Sequence, residues 1–218
     1  MKMLDVPQSG SIGGVTSARN RFGQYKRARS SPVNRNTTFQ GVVRARMSAN
    51  SAAWRALTSA QRAGWEGLGS SLVRTDFLGQ SYTLQGNQAY ASVNNNRVAT
   101  GIAVVSDAPA IATPVALLTV TVTLTAAAFS IAYTATPLAA ATYLMVFASP
   151  QRSAGRSFEG DLRLIKVGAA AGASPLAVLT EYTARFGVPI VGQRIFLALV
   201  TETLGFESGP FTMSQVVA

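Results

Sequence analysis

The longest stretch without charge decides most about what this chain can fold into. No Asp, Glu, Lys or Arg occurs from Ala108 to Gln151. A membrane-spanning helix would need about 20 consecutive, predominantly apolar residues, but Pro114 and Pro137 interrupt the stretch. Within it, residues 118–125 alternate apolar side chains with threonine, which is the period of a strand with one buried face. The stretch therefore predicts β-structure and no membrane span.

Residues 108–218 continue this pattern and are predicted to form a β-sandwich of the immunoglobulin or fibronectin type III kind. Short strands separated by Gly and Pro turns over roughly 100 residues are typical of that fold. The strand over 193–202 is apolar on both faces, which predicts a central position with cover on both sides. The predicted strands are 115–125, 128–135, 142–149, 161–167, 178–186, 193–202 and 210–217.

The preceding region, residues 37–107, is predicted to be helical. Thr37 with Gln40, and Thr58 with Gln61, fit capping boxes that begin two successive helices. A third helix is predicted over 86–99. The apolar face of the first helix is predicted to comprise Phe39, Val43, Met47, Trp54 and Leu57, and that of the second Trp65, Leu68 and Leu72.

Residues 1–36 are predicted to be an extended basic arm. Glycines are scattered there among Ser, Asn and Arg, and the apolar side chains are too few for a core. Such a segment cannot offset its ordering entropy by burial, so we expect it to be disordered alone and ordered only against a partner. The whole chain is thus predicted to be α+β, with an arm at 1–36, a helical region at 37–107 and a β-sandwich domain at 108–218.

Positive charge is concentrated at the front of the chain. Residues 1–75 hold twelve basic and two acidic residues, whereas residues 76–218 hold seven of each. An asymmetry of this kind indicates that the front part meets a negatively charged or polar surface. The candidate partner-binding residues are Arg19, Arg21, Phe22, Tyr25, Lys26, Arg27, Arg29 and Arg35.

Neither cysteine nor histidine occurs in the sequence. Their absence removes thiolate chemistry, the most common general base and the most common metal ligands. Two neighbouring carboxylates, Glu159 and Asp161, are predicted to pair with Arg156 and Arg163 at the surface rather than to act as acid and base. We therefore expect a protein that is not an enzyme and that holds no cofactor or metal.

Part of the front third resembles a known class of proteins. The segments Gly13–Tyr25, Pro32–Asn34 and Ala53–Trp65 are similar to uncharacterised tailed-bacteriophage and prophage proteins that are taken to be virion structural components. The rear part resembles the immunoglobulin-like modules that phages append to head and tail proteins. The resemblance implies a capsid decoration or cement protein, made in the bacterial cytoplasm and carried on the virion. Its partners would be the major capsid protein or other virion subunits, including further copies of itself.

Other functions are open at this point. A neck or tail component is an alternative within the virion. A nucleic-acid-binding protein would explain the charge, because Phe22 and Tyr25 could stack on bases beside the arginines. A carbohydrate-binding adhesin module would explain the sandwich but should expose aromatic side chains on loops, whereas Tyr133, Tyr143 and Tyr182 lie in predicted strands.

Overall fold

The computed structural model describes residues 9–31, 36–134 and 136–218. The chain divides into two compact units, residues 1–43 and 44–218, and the division falls inside the first helix. Helices and antiparallel strands both contribute, so the predicted α+β class is confirmed.

An antiparallel three-stranded sheet forms in the first unit. Its strands are β1 (Gly10–Ile12), β2 (Val15–Asn20) and β3 (Gly23–Ala28). The sequence predicts an extended arm that is disordered alone, whereas these residues form paired strands in the structure. The two-residue loops Gly13-Gly14 and Arg21-Phe22 turn the chain back, and Gly13 has a φ of +56° that suits a tight hairpin. No residue of 9–31 is buried, so the predicted lack of a core is confirmed there.

The helical region begins as predicted. The helices are α1 (Thr38–Ala56), α2 (Ser59–Ser71) and α3 (Gly86–Ala99), and a short hairpin of β4 (Val73–Thr75) and β5 (Ser81–Thr83) separates the last two. Both capping boxes are present: Gln40 N–H donates to the Thr37 hydroxyl at 3.3 Å, and Gln61 N–H donates to the Thr58 hydroxyl at 3.2 Å. The β4–β5 hairpin was not predicted.

The apolar face predicted for α1 is correct for two of its five residues. Leu57 is buried and Trp54 is half-buried, but Phe39, Val43 and Met47 are exposed. The core of this region lies instead between α2 and α3, around Trp65, Tyr90 and Val93.

Gly69 allows α2 to approach the start of α3 closely. A Cβ at this position would lie 2.6 Å from the carbonyl oxygen of Leu84, closer than real side chains come. The glycines of α2 lower its intrinsic helix propensity, yet the helix extends to Ser71. Tertiary packing therefore outweighs the local preference.

Two antiparallel sheets form the rear of the second unit. The first contains β6 (Thr119–Leu124), β7 (Phe129–Thr134) and β11 (Leu176–Ala177). The second contains β8 (Thr142–Ala148), β9 (Arg152–Ser153), β10 (Arg163–Val167), β12 (Gln193–Thr203), β13 (Phe206–Glu207) and β14 (Phe211–Val216). The sheets share one hydrophobic core, to which Ile131 contributes from one side and Leu144 and Leu197 from the other. The predicted central position of β12 is confirmed, since it pairs with β8 and β14 and is buried on both faces from residue 195 to 202.

The strand predicted over 178–186 is wrong, because Leu179–Phe186 forms a helix, α4. Leu179, Tyr182 and Phe186 are spaced by three and four residues, which places them on one helical face. Tyr182 is fully buried, its hydroxyl donates to the Ser149 carbonyl at 3.1 Å, and its ring lies 5.4 Å from that of Phe129. Packing on the shared core favours the helix over a strand.

Contacts cross the predicted boundary between residues 107 and 108. The side-chain amide of Asn96 on α3 donates to the Gly205 carbonyl at 3.0 Å, and Phe206 packs within the helical core. The helices and the two sheets are therefore parts of one compact unit. Among the described residues, no helix combines the length and the apolar character that crossing a bilayer requires.

Replacing Gly205 with alanine tests the packing of α3 on the β12–β13 hairpin. Gly205 has a φ of +98°, and a Cβ there would lie 2.8 Å from the Val93 carbonyl oxygen. Gly192 is the matched control, since its φ is +83° and nothing lies within 4 Å of an added Cβ. We expect Gly205→Ala to lose roughly 2 to 4 kcal/mol and Gly192→Ala about 1 kcal/mol in urea unfolding. Equal losses would contradict the close approach of α3.

A carboxylate is buried in the same hairpin. Glu202 is fully buried, its Oε1 accepts a hydrogen bond from the Gly205 N–H, and it faces Glu207 across the strand pair. Burial raises the pKa of Glu202, and the Gly205 N–H and the charge of Arg97 oppose that shift only in part. The charged form is thus disfavoured in the folded chain.

We expect Glu202→Gln to become more stable, relative to the unsubstituted chain, as the pH rises. A carboxyl group whose pKa is raised by folding stabilises the fold below its unfolded pKa, and this contribution is lost as pH rises through the folded pKa. The amide keeps the acceptor for Gly205 without the charge. Urea unfolding from pH about 4 to about 8 measures the difference.

Glu181→Gln is the control of opposite sign. Glu181 pairs with Lys166 at 2.7 Å. Burial acts to raise the pKa of this carboxyl group, but the hydrogen bond from Lys166, a hydrogen bond from the Glu181 backbone and the charge of Lys166 together lower it. Its contribution is therefore lost as pH falls. If the Glu202→Gln curve runs parallel to that of the unsubstituted chain, the buried carboxylate has no such effect.

Candidate interaction surface

The predicted partner-binding residues lie on the sheet of β1, β2 and β3, but on different sides of it. Tyr25 is opposite Ala18 and Arg27 opposite Thr16. Arg19 and Lys26 occupy the alternate positions of the same two strands. Because side chains alternate along a strand, Tyr25 and Arg27 are on one face and Arg19 and Lys26 on the other.

The tip of the β2–β3 hairpin carries two further predicted residues. The guanidinium carbon of Arg21 lies 4.6 Å from the centroid of the Phe22 ring, and Phe22 is 74% exposed. The Asn20 side chain holds this turn by accepting a 2.9 Å hydrogen bond from the Phe22 N–H. The turn therefore presents a cation and an aromatic ring together.

Two predicted residues lie beyond the strands. The Arg29 N–H donates to the Gly14 carbonyl at 2.7 Å, which extends the pairing past the end of β3. Arg35 lies outside the described residues. The predicted residues that the structure describes thus lie on both faces and at the tip of the sheet, rather than in one patch. The register of the strand pairs determines which residues share a face. In the sequence, the Gly13-Gly14 pair is the signal that predicts the first hairpin.

Every charged residue of the segment 9–31 is basic. No acidic residue occurs in the sequence between Asp5 and Glu66. Arginine guanidinium groups offer planar, multiple donors that match carboxylates and phosphates. The arrangement is suited to binding a polar or acidic surface.

The carboxylates that could suggest catalysis are held in ion pairs. Asp161 pairs with Arg163 at 3.0 Å, and Glu159 pairs with Arg156 at 3.3 Å, so the predicted partners are confirmed. The predicted surface position is wrong for Glu159, which is buried. Glu159 also pairs with Arg152, a partner that the sequence analysis did not identify. The Asp161 N–H and Arg152 together hold the pKa of Glu159 below its usual range. Within the described parts of the chain, no group of three or more acidic side chains could hold a metal ion.

The tyrosines weighed for carbohydrate binding do not form an exposed platform. Tyr133 and Tyr182 are buried, and Tyr143 is half-buried in β8.

No protein-family model, no curated protein and no solved structure matches the chain.

Limited proteolysis should separate the two units. The first sheet buries no side chain, so little free energy opposes its local opening. We expect trypsin to cleave the free chain first after Arg19, Lys26 and Arg29, while residues 44–218 persist. Mass spectrometry of timed digests identifies the sites. Protection of all three bonds on the timescale of the persistent fragment would mean that the sheet is stable alone.

Proposed function

We propose that the chain is a non-enzymatic structural protein of a tailed-bacteriophage virion, of the decoration or cement type. It attaches to the shell, that is, to the major capsid protein or other virion subunits, through the basic sheet of β1, β2 and β3. A neck or tail position is the alternative within the particle. The proposal rests on the front-third sequence resemblance and on the character of this sheet.

The observation that carries the proposal is a sheet with paired strands and no buried side chain. Three strands usually need a hydrophobic face or a covering helix for independent stability. A partner surface supplies that cover on binding, and many copies on one particle multiply weak contacts into avidity.

The rear of the chain serves as the body of the subunit. Two antiparallel sheets with a common core support an immunoglobulin-like module, as appended to phage head and tail proteins. Several copies, side by side, would share the shell surface. No step of this function needs a cofactor.

The location can be tested on particles. An antibody raised against the purified chain is applied to phage particles released from the source bacterium, and gold labelling is viewed by negative-stain microscopy. We expect regular labelling of the head. Labelling of the neck or tail supports the alternative position, and unlabelled particles with the protein left in the particle-free fraction contradict the proposal.

Charge reversal in the sheet should abolish attachment. We expect the variant with Arg19, Arg21, Arg27 and Arg29 replaced by Glu to be lost from sedimented particles, because a contact suited to positive charge becomes repulsive. The matched control replaces the same four arginines by Lys and should keep most of the attachment. Unchanged thermal unfolding of residues 44–218 verifies that the body is intact. Undiminished binding by the Glu variant would mean that another surface attaches.

Nucleic acid is the second candidate partner, favoured by the exposed Arg21–Phe22 pair. Fluorescence anisotropy with a DNA duplex and a single strand distinguishes it. Affinity that falls steeply with salt and is lost in the Glu variant supports nucleic-acid binding. Weak affinity for both probes, with particle attachment intact, supports the shell as the partner of the sheet.

A further inference from the structure

An apolar groove of about 330 Å³ lies between α1 and α3 in the second unit. Trp54 and Tyr90 line it, with ring centroids 5.6 Å apart, and Met47 lies at its edge with 47% exposure. Tyr90 packs edge-on against Trp65 at 5.1 Å, and the Trp65 indole N–H donates to the Ser106 carbonyl at 2.7 Å. The aromatic lining is therefore fixed before anything binds.

The β4–β5 hairpin of the same unit presents an apolar tip. Phe77 is fully exposed and Leu78 is 77% exposed. One carboxylate oxygen of Asp76 accepts hydrogen bonds from the N–H groups of Leu78 and Gln80, both at 2.8 Å. The tip is thus an ordered turn that holds two large apolar side chains in water, so it is not seated in the groove of its own chain.

Asp76, which adjoins the tip, and Arg55, which lines the groove, have opposite charges, and Arg74 of the same hairpin lies two residues before Asp76. Asp76 lies next to Phe77, whereas Arg55 lines the groove, is exposed and forms no ion pair with a described residue. No acidic residue lies in α1. A ligand for this groove should therefore combine an apolar end with a negative charge, which the tip of this chain does.

We propose that the Phe77–Leu78 tip of one copy inserts into the Met47–Trp54–Tyr90 groove of a second copy. Phe77 covers the aromatic lining, and Asp76 comes near Arg55 at the rim. A tip and a groove at different places on one chain make a contact between unlike surfaces, which links copies in series or in reciprocal pairs. A contact of this size is weaker than a standard interface. A large fraction of tips is therefore bound only where copies are already concentrated.

Disulfide cross-linking tests the contact directly, because the sequence has no cysteine of its own. Full-length Leu78→Cys and Ser51→Cys variants, with a thiol at the tip and at the groove, are mixed under mild oxidation. The control pairs Leu78→Cys with Ala126→Cys, a thiol in the exposed β6–β7 turn. We expect the tip–groove dimer to form about tenfold faster than the control dimer.

Two further substitutions establish specificity. Phe77→Ser, added to Leu78→Cys, should remove the preference, whereas Phe158→Ser, at a ring that is 76% exposed elsewhere, should leave it unchanged. Circular dichroism verifies that each variant folds. Equal cross-linking rates for the two pairs, or a preference that survives Phe77→Ser, would overturn the proposal. The assay contains no particles, so its outcome is independent of shell attachment.

Discussion

The pairing of β12 with its neighbours holds the second unit together. One edge of this strand pairs with β8 and the other with β14, and its side chains are buried on both faces through most of its length. Toward one end, the Thr201 hydroxyl donates to the Val115 carbonyl at 2.7 Å, and the following hairpin brings Gly205 and Phe206 against α3. The two sheets and the helices therefore depend on one strand, and no boundary between them can be drawn at residue 107.

Local signals predicted much of this fold. The threonine alternation of 118–125, the two Thr–Gln capping boxes and the apolar run of β12 each correspond to an observed element. The errors arose where distant packing decides. The segment of Tyr182 has the composition of a strand, but its three apolar side chains meet the core only as a helix. Because residues 1–36 lack enough apolar side chains for a core, the sequence predicts an extended arm that is disordered alone, although backbone pairing needs only suitable turns.

The candidate surface was predictable in charge but not in geometry. A count of arginines located the basic segment, and that count is independent of structure. Which residues share a face depends on register, which places Arg27 and Lys26 on opposite sides of the sheet. The groove beside Trp54 was beyond sequence reasoning, because residues 43 positions apart, Met47 and Tyr90, line it together.

The order of the strands along the chain has a consequence for synthesis. Strand β8 ends at Ala148, yet the strand that covers its inner edge does not begin until Gln193. A ribosome must therefore release the uncharged strands β6, β7 and β8 before β12, the main partner of β8, exists. Non-local pairing of this kind folds slowly and leaves apolar edges exposed in the meantime. With no charged residue from Ala108 to Gln151 to oppose association, the nascent chain depends on rapid completion or on chaperones during that interval.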